Sequence, residues 1–89
     1  MSPYIKQDRR VELNIGGQLE IIGLGCQNEG ELNFVLTSIC RGYLEKIGMK
    51  SYARYNQVIG VIECCKLELY RRQIAEYENL KIQSNGDVY

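Results

Sequence analysis

The stretch "LELYRRQIAEYE" puts a phenol and two guanidiniums side by side at Tyr70, Arg71 and Arg72, with Glu68 and Glu76 around them. Arginine forks match the geometry of phosphates and carboxylates, and a tyrosine ring can stack on a flat ligand. Surface charge is the default reading of the arginine pair, and a grip on an anionic, nucleotide-like molecule is the sharper one. Adjacent side chains on a helix diverge by about 100°, so Arg71 and Arg72 of one chain cannot address one phosphate along the same line. A pocket that takes one arginine from each of several subunits escapes that limit. Just upstream, Glu63, Lys66 and Tyr70 recur at i, i+3 and i+7. They read either as a glutamate–lysine pair on a solvated face or as a polar network in an interface groove. Glu68, Arg72 and Glu76 read most simply as a solvated ladder.

A second set sits earlier in the chain. Asn33, Phe34, Thr37 and Arg41 offer an amide, a ring, a hydroxyl and a guanidinium on one side of a helix, with Tyr43 as a further ring. That combination suits stacking and contact with a phosphate or a protein. A single exposed phenylalanine needs no function of its own.

Catalytic patterns are missing from the sequence. It contains no histidine, so the usual Ser-His and Cys-His pairs cannot form, and there is no glycine-rich phosphate loop. Glu29-Gly30-Glu31 reads as a loop and cap. The expectation is a binder, not an enzyme. Cys26, Cys40, Cys64 and Cys65 include no CxxC pair and have no histidine to join them. They read as buried free thiols in a reducing cytoplasm, with no metal and no cofactor. Eleven basic residues balance eleven acidic ones, which argues against nucleic acid as a partner. No signal peptide is visible, and no apolar run approaches the ~18 residues of a membrane span.

The elements that must carry these residues are helical. Eighty-nine residues make one domain, 1–89, whose own core is marginal, so help from an oligomer is expected. "MSPYIKQDRR" holds the only proline and reads as an extended arm. Val11, Ile15, Leu19 and Ile22 recur at helical spacing and favour a helix over about 9–22, although "VELNI" also alternates like a strand. Gly16-Gly17 in its middle weaken that helix. Asn28 and Glu31 resemble a capping box opening a second helix, 29–47, with Gly48 as its left-handed cap. Its stripe is Leu32, Val35, Leu36, Ile39, Tyr43 and Ile47.

A third helix, 53–79, carries an apolar sector far wider than one core contact needs. Val58, Ile62, Cys65 and Leu69 form its centre, Ile59, Tyr70, Ile74 and Tyr77 widen one side, and Val61 widens the other. Such a helix is either central or shared with a second subunit. Finally, "QSNGDVY" ends on turn residues followed by Val88 and Tyr89. Asn85-Gly86 would turn those two side chains back onto the body or a neighbour.

The strings "SPYIKQ", "GELNF", "GVIECCKLELYRR", "AEYE" and "SNGDVY" resemble a family of very small phage and prophage-type proteins. Its pattern has a GxLNY helix start, a GVxECxKLExYRR helix and a C-terminal NGDVY motif. Phe34, Ser84 and Glu76 depart from it, and the Gly16-Gly17 region does not match. The resemblance implies an accessory protein of the host-cell cytoplasm and makes the tail part of the functional surface.

The expectation is therefore an all-α bundle of about three helices with an extended arm and a docked tail, assembled as a homo-oligomer. Its first expected function is a counter-defence binder that sequesters a nucleotide-like signal in an intersubunit pocket. Asn33, Phe34, Thr37, Arg41, Tyr43, Lys66, Tyr70, Arg71 and Arg72 would line that pocket, with Glu63, Tyr77, Val88 and Tyr89 at the interface. The alternative is a protein–protein interaction module that inhibits or scaffolds one macromolecule.

Overall fold

The computed structural model describes residues 2–48 and 51–89. Among these the chain is all-helical, with no strand. Residues 2–6 run outside any helix, as an arm. Two short helices follow, α1 (Gln7–Leu13) and α2 (Gln18–Gly25), then α3 (Glu29–Ile47). The last helical stretch is continuous: α4 (Tyr52–Leu69), a π turn (Tyr70–Ile74) and α5 (Ala75–Asn85). Counting that stretch once, the described residues form four helices where the sequence suggested about three.

The difference begins at Gly16 and Gly17. Their φ angles of 66° and 71° lie in the left-handed region. A side chain there would meet the following carbonyl, so glycine is the residue that permits the kink. The expected helix over 9–22 is thus two helices joined by a 3-10 turn at Ile15–Gly17. Asn14 pins the corner: its Oδ1 accepts from the Leu19 N–H at 2.8 Å, and its Nδ2 donates to Glu20 at 2.8 Å. The hydrophobic spacing was real, but the hydrogen-bond ladder is broken beneath it.

For α3 the local signals and the structure coincide. Asn28 Oδ1 accepts from the Glu31 N–H at 3.0 Å, and Glu31 Oε1 accepts from the Gln27 N–H at 2.9 Å. A cap of this kind contributes about 1 kcal/mol. At the other end Gly48 takes φ 73°, and Lys46 sits in the last turn. Ser51 plays the capping role for α4, accepting from the Arg54 N–H at 3.3 Å.

Residues fall into two groupings. One, 4–56, holds α1, α2, α3 and the first residues of α4. The other, 57–89, holds the rest of the long helix together with Ser2 and Pro3. In neither is there a conventional interior: Val58, 8 % exposed, is the one buried side chain among the described residues. The α3 stripe is open at Leu32, Leu36, Ile39 and Tyr43, and the Ile47 side chain lies outside the description.

Two further expectations need correcting. The tail is not docked on its own chain, because Val88 and Tyr89 are almost wholly exposed. The helix runs on to Asn85 and stops at Gly86, whose N–H reaches the Ile82 carbonyl at 2.8 Å. Asn85-Gly86 therefore ends a helix instead of turning Val88 and Tyr89 back onto the chain. Beyond it the Tyr89 N–H donates to Asp87 at 2.9 Å, a local turn that faces solvent. The cysteines are free thiols but not buried ones: Cys26, Cys40 and Cys64 are half-buried and Cys65 is exposed. None of the described helices is long and apolar enough to cross a membrane.

Candidate functional site

The candidate residues separate into two sets on different elements. On α3, Asn33, Phe34 and Thr37 line one shallow groove with Glu29 and Gly30. Their spacing over one turn is what brings them together. Thr37 Oγ1 donates to Asn33 Oδ1 at 3.0 Å, so the two polar groups are aligned but partly satisfied by each other. Phe34, 70 % exposed, also lines a second groove on its other side, against Ile22, Gly25, Cys26 and Val35. Its ring is thus a ridge between two depressions. Arg41 is exposed one turn further on and lines neither groove, and Tyr43 stands exposed on the apolar stripe.

On the long helix the expected cations are engaged locally. Lys66 Nζ lies 3.1 Å from Glu63, and Arg71 Nη2 lies 2.9 Å from Glu68. Both are i,i+3 surface pairs, the second with Glu68 half-buried, and surface pairs are worth a few tenths of a kcal/mol each. The first is the glutamate–lysine pair read from the sequence. The second replaces part of the expected Glu68–Arg72–Glu76 ladder. Arg72 itself is exposed.

Tyr70, Arg71 and Arg72 open the π turn. A π turn holds one residue more than an α turn, so everything beyond it is rotated back by about 100° relative to a regular helix. That rotation brings Glu78 under Tyr70, eight residues away, and the Tyr70 hydroxyl donates to the Glu78 carboxylate. The hydrogen bond and the carboxylate's charge hold the phenol above its usual pKa of 10.0. No regular helix pairs i with i+8, so Glu78 could not be found from sequence spacing. On the same helix Lys81 Nζ stands 5.5 Å from the centre of the Tyr77 ring.

This gives a pH prediction. A phenol whose pKa is raised on folding binds its proton more tightly in the folded state. Its contribution is complete below pH 10 and is lost as pH rises through the raised value. Tyr70→Phe should therefore show a shallower fall in thermal midpoint than wild type as pH rises above 10. Identical slopes would mean that the Glu78 contact does not persist in solution.

Glu63 and Tyr77 are both exposed on the long helix, while Val88 and Tyr89 lie past its end. The residues expected at an interface are thus accessible. Among the described residues no cluster of three cysteine, aspartate or glutamate side chains is placed to hold a metal. Nothing in local spacing shows that Ser2 and Pro3 lie beside Val61, Cys65, Glu68 and Leu69, because about sixty residues separate the two segments.

No curated protein and no solved structure matches this chain. The chain belongs to the DUF6899 family, described as a domain of unknown function, which matches residues 1–88.

Proposed function

We propose that this protein is a non-enzymatic, homo-oligomeric interaction module that binds another protein through the α3 surface around Phe34. One observation carries the reading: a large ring, 70 % exposed, stands between two grooves on the best-capped helix of the chain. An aromatic ridge on a rigid helix is the usual form of an interface anchor, since it offers much apolar area at little entropic cost. Asn33, Thr37 and Arg41 would supply the polar rim. The oligomeric part rests on the near absence of buried side chains. The resemblance to phage-type proteins supports an accessory role inside a host cell, where such a module inhibits or scaffolds a host or phage protein.

A second reading, sequestration of a nucleotide-like anion between subunits, is supported by the π turn that carries Tyr70, Arg71 and Arg72. Such turns are frequent at functional sites. It ranks lower because Lys66 and Arg71 already have carboxylate partners one turn away.

Native mass spectrometry of protein purified gently from a phage-host bacterium separates the two. The interaction module requires a stoichiometric protein partner that Phe34→Ala loses by at least tenfold in occupancy and Arg71→Ala retains. A small adduct of nucleotide mass, lost on Arg71→Ala and kept on Phe34→Ala, would reverse the ranking.

A further inference from the structure

The long helix carries one feature that the Phe34 surface does not use. Val58, Ile62, Cys65 and Leu69 follow one another at spacings of four, three and four, a single helical stripe. In a regular helix the next positions on it would be Arg72 or Gln73 and then Glu76, and the stripe would end. The π turn moves the register by one residue, so Ile74 and Tyr77 come into line instead. Ile74 and Tyr77 thus extend the centre of the stripe, not its flank as uniform spacing implied.

Past Val58 the stripe lies open. Leu69 is 50 % exposed and Tyr77 58 %, with Ile62 and Ile74 similar. Ser2 and Pro3 border it only near Val61, Cys65 and Leu69. We infer that this stripe is the contact face for a second copy of the chain, paired helix to helix along residues 58–77. The inference rests on the oligomeric part of the reading above and says which surface forms the oligomer.

Length and symmetry identify the occupant. The helix over residues 52–85 is ~51 Å long, whereas α3, with 19 residues, spans only ~29 Å. Among the described helices, a second copy of the same helix is the one that matches its length and its stripe. A symmetric pair also uses one patch twice, which suits a stripe with open apolar groups on both sides of its midpoint.

The test is light scattering and sedimentation equilibrium on the whole purified protein from 0.5 to 100 µM. Wild type should be a dimer or higher even-numbered oligomer. Tyr77→Lys replaces an exposed side chain, so helicity is kept, but it should weaken association at least about 30-fold. Deleting Gln73 converts the π turn to a regular one and leaves Ile74 and Tyr77 in phase, so association should survive. Monomeric wild type at 100 µM overturns the inference, and so does an oligomer indifferent to Tyr77→Lys. If Phe34→Ala still abolishes partner binding in either case, the interaction-module reading stands and only the dimer face fails.

Discussion

Val58→Asp is expected to cost about 3–5 kcal/mol and to leave little folded protein at neutral pH. Val58, 8 % exposed, is the one buried side chain among the described residues. A carboxylate there would lose most of its hydration, and the small stability of a domain this size could not absorb the loss. The charge and volume parts of the penalty can be told apart. Desolvation raises the pKa of a buried carboxyl, so the variant should regain part of its urea midpoint as pH falls below about 5. Ile59→Asp is the control, since Ile59 is one residue away but 63 % exposed. It should cost well under half as much. Equal urea midpoints for the two variants would mean that Val58 is no more central than its neighbour.

The double substitution Gly16→Ala/Gly17→Ala should lower stability by about 2–4 kcal/mol, from about 1–2 kcal/mol per left-handed residue. For a chain of this length that is a drop of roughly 8–30 °C in thermal midpoint. Space is not the obstacle: a Cβ on Gly16 would meet nothing within 4 Å, and one on Gly17 only the Glu20 carboxylate at 3.7 Å. The cost is conformational, because both φ angles lie where a side chain crowds its own backbone. Alanine also favours the competing state, one continuous helix from α1 into α2, by about 1 kcal/mol per position. Circular dichroism and a thermal melt check this together. If helical signal rises with no fall in midpoint, the kink contributes nothing to the fold and Asn14 merely follows it.

Those two glycines also show how far the sequence could be read. Val11, Ile15, Leu19 and Ile22 have the spacing of one helix, and that spacing says nothing about where a ladder of hydrogen bonds is interrupted. The glycines signalled weakness; their left-handed φ made the weakness a corner. The candidate site divides the same way. Asn33, Phe34 and Thr37 share a groove because they lie within one turn of one helix, which their numbering already states. The glutamate–lysine pair at Glu63 and Lys66 was legible for the same reason. Glu78 beneath Tyr70 was not, since their pairing depends on a change of helical register between them.

Local residue spacing was enough to settle the all-helical class, both ends of α3 and the Glu63–Lys66 ion pair. Each depends on side chains meeting backbone or charge within about one turn, where chain geometry leaves little choice. The folded chain was needed to see that Ile74 and Tyr77 come into line with the Val58–Leu69 stripe, that Ser2 and Pro3 border it, and that Val88 and Tyr89 are left in solvent. Those outcomes turn on accumulated helical phase and on contacts between distant residues. A one-residue change of register moves every later side chain by about 100°, and local spacing carries no record of it.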